Sequence, residues 1–198
     1  MTRPPTPDTR HLLLALAFLA GGCSKEPEPA DPDALRNASP PELRLATAAG
    51  DTFDLERQRG KVTVVFFGYT SCPDICPLTL QDFVTVKRRL GARADSVRFV
   101  FVSVDPARDT PAATAAWVSR FDSSFVGLSG DSARIAEAQQ SFHVARFVEP
   151  DSARPADYRV THTATVHVIG KDGRWNDVLV FDNERAELLY AAIVRALN

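Results

Sequence analysis

The sequence has no excess of either charge. It carries 23 Lys and Arg against 25 Asp and Glu, a formal net charge of −2 over 198 residues. A pI near 6.1 leaves nothing to neutralise a phosphate backbone, which argues against a nucleic-acid binder. Cysteine is scarce. Cys23, Cys72 and Cys76 are too few for a disulfide scaffold. Met1 is the sole methionine, so a folded body contains no thioether ligand. Long apolar runs are missing as well. The stretch from Leu12 to Ala20 falls far short of the roughly 20 residues a bilayer crossing needs, which excludes a polytopic membrane protein. What remains, 44% hydrophobic and 24% charged residues, describes one globular domain with a little to spare.

The spare part lies at the N-terminus. Arg3 and Arg10 precede the short apolar run, as in a secretory signal. The run ends in Ala20-Gly21-Gly22-Cys23, which resembles a bacterial lipobox, so residues 1–22 are expected to be a lipoprotein signal peptide and Cys23 an acylated cysteine. Residues 23–42 hold Pro27, Pro29, Pro32, Pro40 and Pro41 among acidic side chains and show no apolar period. They are read as a charged, extended tether. The expected location is therefore outside the cytoplasm, periplasmic or on the outer face of the cell membrane, held by lipid.

Residues 43–198 alternate between strand and helix patterns. Leu43–Thr47 and Thr52–Leu55 flank a glycine turn and suggest an N-terminal β-hairpin. Val62–Phe67 is an apolar run rich in β-branched residues, as in a strand buried on both faces, and Val97–Val104 reads as another buried strand. Between them Leu80, Phe83, Val84 and Leu90 mark one helical face. Asp109-Thr110-Pro111 and Asp131-Ser132 open two further helices. Ala164–Ile169 and Asp177–Phe181 form a late hairpin around Lys171-Asp172-Gly173. Leu189, Ala192, Ile193 and Ala196 mark a closing helix. This order fits an α/β domain of thioredoxin-like plan, with a mixed central sheet and flanking helices.

The chemistry lies after the first buried strand, in Cys72-Pro73-Asp74-Ile75-Cys76-Pro77. Cysteines four apart at a helix start share one side, and the helix dipole favours a thiolate there. Such a pair either faces one soft metal ion or closes into a disulfide. A purely structural disulfide would close a tiny loop and stabilise little. Three histidines could complete a metal site. His167 lies within a predicted strand and reads as core. His143 lies at a helix end. His162 precedes the Ala164 strand, in a loop that a thioredoxin-like plan turns towards the cysteines. A two-thiolate, one-imidazole set suits Cu(I) and admits Cu(II), and it lacks the fourth ligand of a structural zinc site.

Three blocks resemble the Sco/SenC family. They are Gly68-Tyr69-Thr70-Ser71-Cys72-Pro73-Asp74-Ile75-Cys76-Pro77, Ser103-Val104-Asp105-Pro106-Ala107-Arg108-Asp109-Thr110-Pro111, and Tyr158-x-Val160-x-His162-Thr163 followed by a strand. They occur in order and span nearly the whole domain. The resemblance implies a membrane-tethered, thioredoxin-like protein that binds one copper ion through Cys72, Cys76 and His162. It also implies a role in delivering copper to the copper site of cytochrome c oxidase or keeping that site reduced. The implied partners are the copper-receiving oxidase subunit and a copper donor or thiol reductant. Thr161 departs from the family, which usually has aspartate there. Asp105 and Arg108 are read as turn and capping residues. Asp74 is read as tuning the cysteines' charge, contacting a partner, or favouring the helix dipole. A second reading keeps Cys72 and Cys76 as the redox pair of a thiol–disulfide oxidoreductase.

Overall fold

The computed structural model describes residues 40–150, 158–180 and 185–198, with Ala34 and Ala38. The signal-like segment, Cys23 and most of the proline-rich segment lie outside the described residues, as does Phe181.

The predicted N-terminal hairpin is present as β1 (Arg44–Ala46) and β2 (Thr52–Asp54), paired antiparallel across Leu45 and Phe53. The chain is already packed against the core just before it. Pro41 and Leu43 are buried, and the Glu42 amide donates to Ser141 Oγ at 2.6 Å.

The two apolar runs form the centre of the sheet, as β3 (Val62–Gly68) and β4 (Val97–Ser103). Every β3 residue is buried, which explains the absence of polar alternation in its sequence. The pair is parallel and in register, Val64 opposite Phe99 and Phe66 opposite Phe101. The crossover between them contains α1 (Ile75–Leu90). Strand β5 (Val126–Leu128) joins β4 in parallel. Strands β8 (Thr165–Ile169) and β9 (Trp175–Val180) continue on the other side antiparallel, giving the order β5-β4-β3-β8-β9.

Helices α2 (Pro111–Ser119), α3 (Ser132–Ser141) and α4 (Arg185–Leu197) complete the flanking layers. Successive side chains of a strand point to opposite faces. On one face Phe99 meets Phe83 of α1 and Phe101 meets Trp117 of α2. On the other, Phe67 packs against Phe142 at the end of α3. The mixed sheet with flanking helices agrees with the thioredoxin-like expectation.

Three strands escaped the sequence reading. Besides β5 these are β6 (Arg146–Glu149) and β7 (Arg159–His162), which form a separate two-stranded antiparallel sheet. His162 is therefore the last residue of a hairpin strand and not part of a loop. The apolar pattern failed here because three of the four β6 residues are exposed and alternate with nothing.

Candidate metal centre

Strand β3 ends at Gly68, and the chain turns through Tyr69–Asp74 into α1. The Cys72 amide donates to the Tyr69 carbonyl at 3.1 Å, so Cys72 lies in a turn before the helix. Cys76 is the second helical residue. Pro77, the third, lacks an N–H where the helix has no acceptor for one. Cys76 is fully buried, whereas Cys72 is half-buried, and both are free thiols. The Cys76 amide donates to Cys72 Sγ at 3.5 Å. Asp74 is the helix N-cap by position but makes no capping bond through its side chain.

The loop is held from below by Asp109. This carboxylate is buried and accepts from the Thr70 amide at 2.9 Å, Thr70 Oγ1 at 2.5 Å and Ser103 Oγ at 2.6 Å. In the predicted helix start, Thr110 provides the cap, accepting from the Ala113 amide at 3.2 Å, while Asp109 turns inward. Gly68 supplies space. A β-carbon there would stand 2.8 Å from Cys76 Sγ and 2.7 Å from the Phe101 ring.

His162 arrives on the other side of the pair. Its Nε2 is 3.8 Å from Cys76 Sγ. Its Nδ1 is 3.0 Å from the Thr163 carbonyl, which can only accept a hydrogen bond. In the neutral ring Nδ1 therefore carries the proton, and the Nε2 lone pair faces the sulfur. Burial pushes the His162 pKa down, against the Thr163 bond and the Cys72 charge, which favours that neutral form. The Tyr69 and Phe66 rings stand edge-on to the imidazole, each at 6.1 Å between centroids.

The two sulfurs have opposite acidities. The Cys76 thiol donates its hydrogen to Cys72, the largest cause of a Cys72 pKa lowered to about 5. The amides of Asp74 and Cys76 add to this, against the cost of burial. Cys76 is pushed up, first by holding that shared proton and then by burial. The helix start thus favours one thiolate, the sulfur just outside the helix.

Among the described residues, no three His, Cys, Asp or Glu side chains are gathered closely enough to hold a metal ion as they stand. Two donors already have a suitable spacing. With arms of about 2.3 Å to sulfur and about 2.0 Å to nitrogen, two ligands of one trigonal ion lie about 3.7 Å apart. The Cys76–His162 separation of 3.8 Å matches that.

The other histidines lie elsewhere. His167 is buried among Phe67, Phe142 and Trp175, with Nε2 at 3.0 Å from Thr165 Oγ1, as a core histidine should be. His143 is exposed at positive φ, 54°, where α3 ends. Thr161 points away from the cysteines' side of the hairpin, and its hydroxyl donates to Glu149 Oε1 at 3.0 Å.

Asp105 and Arg108 do more than form a turn. Asp105 has no exposed surface and accepts from Tyr158 Oη at 2.6 Å and from Arg108 Nε. These contacts bridge 53 residues in the first case, so no local pattern could have announced them.

Known proteins share this arrangement of elements. The SCO1/SenC family pattern matches residues 33–198. The bovine mitochondrial SCO2 homolog is 35% identical over 147 residues, covering 68% of this chain and 55% of that protein. The structure of Bradyrhizobium japonicum ScoI with copper bound superposes with a TM-score of 0.71 at 38% identity, covering 80% of this chain and 99% of that one. The solution structure of apo Sco1 from Thermus thermophilus gives 0.73 at 34% identity, covering 80% and 92%. The family match takes in all three sequence blocks and the sheet that carries them, and the chain belongs to the SCO1/SenC family.

Proposed function

We propose that this chain binds one copper ion through Cys72, Cys76 and His162 and takes part in assembling the copper site of cytochrome c oxidase. The observation that carries the copper reading is the approach of an unprotonated imidazole nitrogen to a buried cysteine sulfur at 3.8 Å. Two sulfur donors and one imidazole favour Cu(I) and admit Cu(II). The copper-bound relative supports the choice of metal. The Sco family is one of cytochrome c oxidase assembly proteins, which supports an oxidase subunit as recipient. Cys76 is sealed and Cys72 half-exposed, so an incoming ligand from a recipient reaches Cys72 first. Acylation at Cys23, outside the cytoplasm, would hold the domain at a membrane on its charged tether. Among the described residues no helix is long and apolar enough to cross one.

The split acidity of the sulfurs favours a second reading, reduction of a partner's disulfide. The Cys72 thiolate attacks one partner sulfur and releases the other as a thiolate. Cys76 then loses its proton and attacks Cys72 Sγ, releasing the second partner thiol. Two electrons pass to the partner, and the chain is left with a Cys72–Cys76 disulfide.

Copper titration of the reduced chain separates the two. The copper reading expects one ion per chain and a thiolate-to-Cu(II) charge-transfer band. His162→Ala should lose Cu(II) binding and the band while two thiolates still hold Cu(I) more weakly, and Cys72→Ala/Cys76→Ala should lose both ions. Absence of tight binding, with disulfide reduction that survives His162→Ala, would leave the oxidoreductase reading alone.

A further inference from the structure

Strands β6 and β7 share no ladder with the five-stranded sheet, so backbone pairing does not fix where this hairpin stands. His162 rides on it, opposite Arg146 in the register. The hairpin is held by side chains instead. Val160 is buried in the core. At the His162 end, Arg146 Nη2 lies 3.7 Å from Asp105 Oδ1. At the other end, Tyr158 Oη donates to the same oxygen at 2.6 Å. Arg108, paired with Asp105 Oδ2, donates to the Tyr158 carbonyl at 3.0 Å and stacks 3.8 Å above the Tyr158 ring. One carboxylate with no exposed surface therefore grips both ends of the strand pair. Asp105 is itself placed by its amide, which donates to Ser103 Oγ at 3.0 Å, and Ser103 also donates to the Asp109 that holds the cysteine loop.

We propose that Asp105 is a positioning residue for His162: it clamps the β6–β7 hairpin to the body and thereby sets the distance from the imidazole to the cysteine sulfurs. The inference deepens the copper reading and rests on it only for the metal's response. Groups that orient a ligand through its support typically change metal affinity about 10- to 100-fold when removed.

The test uses the full chain with Asp105→Asn and Tyr158→Phe. Asp105→Asn leaves two guanidinium groups short of a carboxylate and is the riskier fold. Tyr158→Phe removes one hydrogen bond only and decides alone if the first variant does not fold. In the metal-free protein, hydrogen exchange at the Ala145 and Thr163 amides, which join the hairpin beside His162, should accelerate at least about 10-fold. Exchange in β3 should stay unchanged. The imidazole nitrogen NMR shifts of His162 should move as its bond to Thr163 loosens. Cu(I) affinity, read by chelator competition, should fall about 10-fold. That fall should vanish when Tyr158→Phe is placed in a His162→Ala background. Unchanged exchange and shifts in Tyr158→Phe would overturn the proposal, and so would an affinity loss of equal size without His162. Altered exchange and shifts in a chain that binds no copper would instead reject the copper reading and keep the clamp.

Discussion

Replacing Gly68 with alanine should damage the cysteine site more than the fold. The added β-carbon would lie 2.8 Å from Cys76 Sγ and 2.7 Å from Cε2 of Phe101, where ordinary contact begins at 3.4 Å. Phe101 is buried between Phe66 and Trp117 and has little room to yield. The sulfur must then retreat by about 0.6 Å, several times the roughly 0.2 Å that a metal–ligand bond tolerates. Overpacking of this kind costs about 1–3 kcal/mol of stability, and the displaced donor should cost at least about 10-fold in copper affinity. Gly127→Ala is the matched control. Its β-carbon would meet the Ala115 backbone at 2.8 Å, in the packing of α2 against β5, with no sulfur nearby. Urea unfolding and Cu(I) competition on the same preparations compare the two. Both variants should lose stability, and only Gly68→Ala should lose affinity. Wild-type affinity in Gly68→Ala, or an equal loss in Gly127→Ala, would refute the idea that Gly68 sets the position of Cys76.

His167 should make the fold acid-sensitive. Burial, with a smaller contribution from His143, lowers its pKa to about 3, so the folded chain keeps it neutral while the unfolded chain protonates it near pH 6.5. Its contribution is complete above about pH 6.5 and is lost as pH falls towards 3, about 2 kcal/mol by pH 5. Denaturant midpoints across that range should show this slope, and His167→Phe should flatten it; an equal slope in the variant would exclude His167 as its source. A reduced, metal-free chain carrying Cys23→Ser should take up one equivalent of iodoacetamide at Cys72, with a rate midpoint near its pKa of about 5. Cys76, buried and holding its proton, should stay unlabelled, and a midpoint above pH 8 or equal labelling of both would contradict the shared-proton arrangement.

The sheet was legible where burial is complete. Val62–Phe67 and Val97–Val104 read as central strands because segments dominated by β-branched and aromatic residues need cover on both faces, Arg98 being partly buried in the second. The cysteine pair was legible because its chemistry is local. His162 was singled out by its position before the Ala164 strand, and then by family resemblance, but placed in a loop, since the pattern of Arg146-Phe147-Val148-Glu149 does not announce an edge hairpin. The buried carboxylates were misread for a related reason. Asp105 and Asp109 occupy positions where turn-making and capping suffice as explanations, and only the folded chain brings Tyr158 and Thr70 to them. Nor could spacing reveal that the two sulfurs would differ so far in acidity. That difference comes first from the hydrogen that Cys76 holds towards Cys72, and then from the deeper burial of Cys76.

The three proposed donors rest on supports of unlike strength. Cys76 is seated at the start of a helix of 16 residues, beneath a strand buried along its whole length. Its loop is tied by two hydrogen bonds from Thr70 to a buried carboxylate. His162 stands on a strand pair of four residues each, attached through side chains such as the buried Val160, the shared Asp105 and Arg108 rather than through a ladder to the main sheet. Local stability follows buried contacts and protected hydrogen bonds, so the hairpin should open at lower free energy than the cysteine loop. A metal site built this way loses its nitrogen before its buried sulfur. A protein that must hold an ion securely and still surrender it to a recipient gains from that order: the arm that lets go first is the one whose movement leaves the core undisturbed.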